Sequence, residues 1–466
     1  MASDWNEYKI DDLKAPVKGS IAMGPFGSRI KAENFVTEGV PIIKGGQLHG
    51  AYISDSGFDF LTPEKAEELK SSQAYRGDLV ITHRGTIGQV SIIPHDSLYE
   101  KYIVSQSQLK VSFDKTKVNP YFVNYFFRSH LGQHRLLANA SQVGVPAIAK
   151  ASTSVKAIMV PCPSLEEQNK VVGYLKNLDD KIELNRQMNE TLEAMAQAFF
   201  KSWFVDFDPV IDNALAVGNA IPDEMLKRAE QRKGIEKKDN ADIQGLFPDE
   251  FEFTEEMGWI PKEWQVTPVY EVAEFINGSS FKSQYFSDEN EGLPIIKIAE
   301  IKNGVSQQTN FTTQKMPEKY FIDDGSILFS WSGNPDTSID TFIWTGGEGW
   351  LNQHIFNVVL HKNSDRTFVY YLLKMLKPVF TEIARDKQTT GLGHVTVKDM
   401  KRTYTIKPSS SILEAFTRQV DPIFEKWYQN LFSSRELTKL RDTLLPKLMS
   451  GELRIPDAAA FMDEVK

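Results

Sequence analysis

The chain has 466 residues, 25% of them charged and 41% hydrophobic, which is enough for two to four domains of ordinary size. One cysteine, Cys162, excludes an internal disulfide framework and a cysteine-rich zinc site. No apolar run approaches the ~20 residues of a membrane-spanning helix. The net charge of −9 gives no support for a polyanionic partner, but its distribution does not exclude one: residues 206–263 hold 15 acidic and 7 basic side chains, while residues 1–160 hold 18 basic and 15 acidic.

The opening Met1-Ala2-Ser3-Asp4-Trp5-Asn6-Glu7 has neither a basic nor an apolar stretch, so no signal peptide is expected, and a reducing cytoplasm suits the chain. Residues 1–160 alternate short β-branched runs with turn residues. Val40–Ile43, Leu79–Thr82 and Val90–Ile93 read as strands, Pro63–Ser71 and Pro120–Leu137 as helices, the latter opened by Asn119-Pro120. Residues 161–205 read as one long helix. Ser164-Leu165-Glu166-Glu167 is a capping box, and Leu175, Leu178, Ile182, Asn185, Asn189, Leu192, Ala196, Phe199 and Trp203 recur at alternating spacings of 3 and 4, a coiled-coil seam. Residues 206–263, acidic and rich in helix breakers, read as a long tether with some short structure. Residues 264–410 return to the first pattern, with strand runs Ile295–Ile298, Ile327–Phe329 and Ile355–Leu360. Residues 411–452 read as a second long helix and 453–466 as a tail.

The second half repeats the first in order. Gly39-Val40-Pro41-Ile42-Ile43-Lys44 returns as Gly292-Leu293-Pro294-Ile295-Ile296-Lys297, and Trp5 as Trp264. Arg76–Thr82 returns as Asp324–Ser330, and Tyr121-Phe122-Val123 as Thr367-Phe368-Val369. Order with small drifts in offset marks a tandem duplication with changed loops. The seam returns as Val420, Ile423, Trp427, Asn430, Ser434, Leu437, Arg441, Leu444 and Leu448, with one charged lapse at Arg441. Asn185 and Asn430 lie mid-helix, so a pair of packed helices would set them face to face and fix register. Either helix direction allows this. Two amphipathic helices, each packed on its own domain, would show the same pattern.

Catalytic signatures are missing. Asn119-Pro120-Tyr121-Phe122 lacks the second proline of an amino-methyltransferase loop and reads as a helix start. His130 and His134 have zinc-ligand spacing but no third ligand, and Pro222–Lys227 only faintly resembles a nuclease motif. There is no phosphate loop of the Walker type and no Gly-x-Ser-x-Gly elbow. What the strand ends do supply is side chains suited to base edges. They are Lys44, Gln47, His49, His83, Arg84, Thr86, Gln106 and Gln108 in the first half, and Lys282, Lys297, Trp331, Asn334, Gln353, His354 and Lys398 in the second. Each taken singly is more readily read as a solvated loop residue, and Gln106 and Gln353, weaker still as candidates, as strand openers. Gly85 would let the loop backbone come close to DNA, and Arg84 can fork onto guanine or clamp a phosphate. Trp331-Ser332-Gly333-Asn334 keeps the glycine without the arginine, which favours base reading.

Three stretches carry a family resemblance. Pro161–Gln168 leading into Leu178–Asn185, Phe200–Pro209, and Leu445–Leu453 together resemble the signature of type I restriction-modification specificity subunits. Pro408–Glu414 departs from the usual form, lacking the Glu-Gln pair. The resemblance implies a mixed α/β chain with two tandem target-recognition domains, 1–160 and 264–410. The two long helices between them would form an antiparallel coiled coil with pseudo-two-fold symmetry. It implies double-stranded DNA as ligand, read as a split target, with no membrane involved. It also implies docking of two methyltransferase (M) subunits, which use S-adenosylmethionine on adenine, and of restriction (R) subunits, which use ATP and Mg. Asn185, Asn189, Asn430, Ser434, Trp203 and Trp427 would set helix register or dock partners. This chain itself would have no catalytic residue, metal or cofactor. The rival readings are a coiled-coil scaffold that never touches DNA and a stand-alone DNA-modifying enzyme.

Overall fold

The computed structural model describes residues 5–26, 29–141, 144–235, 241–287, 289–361, 366–388 and 391–453. The chain divides into two units, one of residues 1–183 with 436–466, the other of residues 184–435. Most of the expected tail, 454–466, lies outside the described residues. No helix among the described residues is long and apolar enough to cross a membrane.

In the first unit, Asn6–Lys9 pairs antiparallel with Met159–Cys162, closing the domain's two ends on each other. An antiparallel sheet follows in the order Ile21–Met23, Gln108–Val111, Leu79–Thr82, Val90–Ile92. A mixed sheet runs Phe35–Val36, Asp59–Leu61, Val40–Ile43, Lys101–Val104, Gln73–Tyr75, with Val40–Ile43 and Lys101–Val104 parallel. Both sheets are apolar where they are buried, and Pro120–Arg128 covers the first with Phe122, Phe126 and Phe127.

The second unit repeats this order. Gln265–Pro268 pairs with Tyr404–Lys407. Glu274–Asn277, Ile355–Val359, Ile327–Ser330 and Asp340–Ile343 form the antiparallel sheet. Phe311–Thr312, Leu293–Ile296, Gly349–Leu351 and Phe321–Ile322 form the mixed one, again with a single parallel pair. The duplication read from scattered matches is thus a duplication of topology. Gly24 and Gly278 mark it as well: a Cβ on either would overlap the backbone of Ser105 or Asn352. Only a glycine lets these strand ends pass so close.

Several expectations change, beginning with the helix read over Pro63–Ser71, which is Pro63–Glu68 followed by a separate turn at Lys70–Ser72. Ile295–Ile298 is Leu293–Ile296, because Lys297 and Glu300 form the cap of a helix at Ile298–Asn303. The helix read over Pro120–Leu137 is two helices, Pro120–Arg128 and His130–Leu137. Ser129 is extended and caps the second one. The bend brings Gly132 so close that a Cβ would sit 1.9 Å from the Phe126 carbonyl oxygen. The stretch 206–263 is not a tether. It folds as helices Asp208–Val217 and Leu226–Lys233 and a hairpin of Phe251–Thr254 with Gly258–Pro261, and it buries Phe207, Val210, Phe247 and Ile260 in the second unit's core. Part of its acidity is structural: buried Asp208 accepts from Arg228 Nε and Nη2, both at 2.7 Å, and Asp212 pairs with Arg232.

The long helices are Leu165–Phe204 and Ser410–Met449, 40 residues each, so each extends about 60 Å. Within the second unit, Asn185 donates to Ser434 Oγ at 3.2 Å, Asn430 donates to Asn189 Oδ1 at 3.0 Å, and Phe204 packs on Phe416 at 4.9 Å. Rising numbers on one helix meet falling numbers on the other, so the pair is antiparallel. Asn185 and Asn430 therefore do not face each other as expected. Ser434 is the repeat counterpart of Asn189, and Asn430 that of Asn185, so the two contacts are reciprocal and the centre of the pairing falls between Asn185 and Asn189.

Candidate nucleic-acid interface

In the first unit, the strand Leu79–Thr82 delivers the loop His83-Arg84-Gly85-Thr86 to a ring of backbone anchors. His83 N donates to Ser107 O at 3.0 Å, Ile148 N donates to His83 O at 2.9 Å, and Gly85 N donates to Pro146 O at 2.8 Å. Gly85 sits at φ +88°, a conformation that side-chain-bearing residues rarely adopt. The His83 ring contacts the Gln106 carbonyl oxygen at 3.1 Å. A carbonyl only accepts, so Nε2 carries the proton. Burial pushes the His83 pKa down, which keeps the ring neutral at physiological pH. His83 therefore braces the loop through this one ring nitrogen. Arg84, Thr86 and Gln106 project from this frame, exposed, and the Arg84 guanidinium makes no hydrogen bond or ion pair among the described residues.

The neighbouring turn after Val40–Ile43 sorts differently. Gln47 is buried. Its Oε1 accepts from Lys44 N at 2.9 Å and its Nε2 donates to Gly57 O at 3.1 Å, so it ties the turn down and is not free to read a base. Gln108 is buried too, donating to Thr82 Oγ1 at 3.3 Å. Lys44 is half-exposed and paired with Asp59, and His49 is exposed. Gln89, whose Nε2 donates to Gly45 O at 3.3 Å, links this turn to the His83 loop. Sequence reading missed the hairpin Ala140–Ser141 with Ala147–Ile148, which holds the loop, and the exposed Lys150 after it, at φ +46°. A two-residue strand leaves no periodicity to find.

The second unit builds the matching place from other residues. Trp331 O accepts from Val395 N at 2.8 Å, and the indole Nε1 donates to Asn277 Oδ1 at 2.9 Å. The Trp331 ring lies 5.5 Å from His354 and 5.8 Å from Phe356, and Gln353 reaches His354 at 3.4 Å, so Trp331, Gln353 and His354 form one polar-aromatic cluster. Asn334 is spent as a helix cap, its Oδ1 accepting from Asp336 N and Thr337 N at 3.0 and 3.1 Å. Lys297 stands 5.4 Å over the Phe286 ring. Lys282 and Lys398 are exposed, and no side-chain contact ties them to the cluster among the described residues. His130 and His134 are exposed on a surface helix, and no cluster of three metal-ligating side chains occurs among the described residues.

Trp203 and Trp427 are core residues, not docking residues. Trp203 packs edge-on against Phe247 at 5.0 Å, Trp427 lies 5.5 Å from Phe424, and both are buried within the second unit.

Residues 2–194 and 261–412 match the model of the type I restriction modification DNA specificity domain. The chain belongs to that family. Its two matched segments are the two halves of the duplication. The type I restriction enzyme HindI specificity subunit of Haemophilus influenzae is 25% identical over 97% of this chain and 100% of its own length. The MjaIX specificity subunit of Methanocaldococcus jannaschii is 26% identical over 97% and 94%. In fold, this specificity-family chain is similar to the crystal structure of the type I restriction-modification S subunit from M. genitalium, with a TM-score of 0.51, 15% identity and 96% of each chain covered.

Proposed function

We propose that this chain selects the DNA site of a type I restriction-modification complex, residues 1–160 and 264–410 each reading one half of a split double-stranded target. The observation that carries this reading is one frame with two fillings. The same strand order twice presents a glycine-bent loop, and the loop is His83-Arg84-Gly85-Thr86 in one copy and Trp331-Ser332-Gly333-Asn334 in the other. A conserved scaffold with exchanged polar tips is what two different base sequences require, since bases are told apart only by donor and acceptor patterns. Arg84, Thr86 and Gln106, and Trp331, Gln353 and His354, are the proposed readers.

The long helices act as the spacer and dock two methyltransferase subunits, which bring S-adenosylmethionine and adenine methylation. Restriction subunits bring ATP and Mg, and the complex works in the cytoplasm. Catalysis belongs to those partners. They also share the phosphate contacts, which is why a chain of net charge −9 suffices here. The test is a domain exchange. Replacing residues 1–155 by the same segment of a relative changes one half of the methylated motif and leaves the other. A change in both halves, or in neither, refutes the reading.

A further inference from the structure

Beside the reading loops, the first unit holds a cavity of about 320 Å3 lined by His49, Gln89, Arg128, Gln133, Arg441 and Asp442 among others. That is the lower end of the size range of small-ligand sites, about 300–1,000 Å3. Most polar groups on its wall are already used. Gln133 Nε2 donates to Gly88 O at 2.9 Å and Phe127 O at 2.7 Å. Gln89 is held by Gly45 and Thr82. Arg441 gives Nη1 to Asp179 at 2.8 Å and Nε to Asp442 at 2.9 Å, while Tyr125 fills the other Asp179 oxygen at 2.7 Å.

Arg128 is different. Its guanidinium makes no hydrogen bond and no ion pair among the described residues, although it lies at the end of the helix Pro120–Arg128 against the cavity. Burial, and then the charge of Arg441, push its pKa down against the opposing pull of Asp179 and Asp442. An arginine stays protonated regardless, so the half-buried guanidinium presents its five donors to the cavity with no protein acceptor among the described residues. His49, exposed on the same wall, has no side-chain partner either among the described residues.

We propose that this cavity binds one phosphate-type oxyanion, with Arg128 as its forked donor and His49 at its mouth. A planar guanidinium matches two phosphate oxygens at once, and water, the alternative occupant, cannot neutralise the charge. Two sources share this chemistry: a phosphodiester of the bound DNA, or a free phosphate-bearing solute. The site itself does not rest on the proposed function; only the choice of source does.

The experiment compares the full chain with Arg128→Met and Arg128→Lys. Melting is followed in sodium chloride and in sodium phosphate at equal ionic strength. Phosphate raises the melting temperature of the parent, on the order of 1.5 °C at ten times its Kd. The rise is lost in Arg128→Met and reduced in Arg128→Lys, which keeps the charge but not the fork. In chloride, Arg128→Met melts no lower than the parent, since the guanidinium has no protein acceptor among the described residues. DNA binding of the methyltransferase complex, measured across salt concentration, assigns the source. A slope reduced by about one in Arg128→Met, with all sequences weakened alike, means a backbone phosphodiester. An unchanged slope beside a phosphate-dependent melting shift means a free solute. The absence of both a phosphate shift and a slope change overturns the proposal. So does an Arg128→Met deficit equal in both buffers, which would make Arg128 a structural residue. If Arg128→Met does not fold, the same two comparisons on the neutral, polar Arg128→Gln decide. The melting arm uses no DNA, so its outcome stands apart from the reading of the chain as a site-selecting subunit.

Discussion

Arg441, on the second long helix, donates from Nη1 to Asp179 Oδ1 on the first at 2.8 Å, and both side chains are largely buried in the first unit. The charged lapse in the repeated seam is therefore a matched pair, with Tyr125 completing the Asp179 carboxylate. Removing one partner strands a buried charge, whereas replacing both with apolar groups does not. Arg441→Leu is expected to destabilise the chain by about 3–5 kcal/mol, and Asp179→Leu combined with Arg441→Leu to recover most of that. Urea midpoints of the two single variants and the double variant check this. Additive losses in the double variant would contradict the pairing.

The seam asparagines make a second, separable prediction. Asn189→Ala leaves the Asn430 amide buried without its acceptor and is expected to cost about 1–3 kcal/mol. Asn189→Leu with Asn430→Leu is expected to regain stability but to loosen register, since a matched polar pair is what penalises slipped alignments. Denaturant unfolding reads the first effect. Crosslinking of cysteine pairs placed along the two helices reads the second.

Helix length is expected to set the gap between half-sites, but an insertion on one helix is not a clean test. Four residues after Gln187 separate Asn185 from Asn189 and break their alignment with Ser434 and Asn430. A matched insertion of four residues after Phe432 restores both contacts and adds about 6 Å. Methylome sequencing is expected to show a longer unspecified gap with both half-sites unchanged. An unchanged gap would argue against the spacer role.

Arg84 is expected to read a base. Its backbone is anchored on both sides while its side chain is free, so Arg84→Ala alters the reader without moving the loop. Binding to the cognate site should weaken by about 1–3 kcal/mol, with relaxed choice at one position. Titrations on the cognate site and its single-base variants at two salt concentrations separate this from a phosphate clamp, which weakens every sequence equally and lowers the salt slope.

Asp208 gives the folded connector a pH dependence. Burial acts to raise its pKa, but the hydrogen bonds from Arg228 and Ser202 and the charge of Arg232 outweigh burial and hold it below the usual carboxylate range. A carboxyl with a depressed folded pKa stabilises the fold above its unfolded value, about 3.9, and that stabilisation is lost as pH falls through the folded one. Asp208→Asn is therefore expected to cost about 1–3 kcal/mol near pH 7, and the gap from the parent to close below about pH 4. Urea midpoints from pH 7 to pH 3 follow it. A gap that stays constant would remove Asp208 from the pH response.

Much of this protein was legible in its residues. Local patterns carried it: β-branched runs gave Val40–Ile43 and Leu79–Thr82, the alternating 3 and 4 spacings gave both long helices, and ordered recurrence gave the duplication. These are one-dimensional signals, because strand and helix periods are set by neighbours in the chain. The functional sorting was not of that kind. Gln47 and Gln108 carry the same amide as Gln106, yet two are buried as fasteners and one is exposed, a difference made by residues 10 to 26 positions away. The register of the two long helices, the packing of residues 206–263 and the pairing of Arg441 with Asp179 likewise depend on what arrives from elsewhere in the chain. Composition named the side chains able to meet DNA; burial and hydrogen-bond partners, which exist only once the chain is folded, decided which of them remain free to do so.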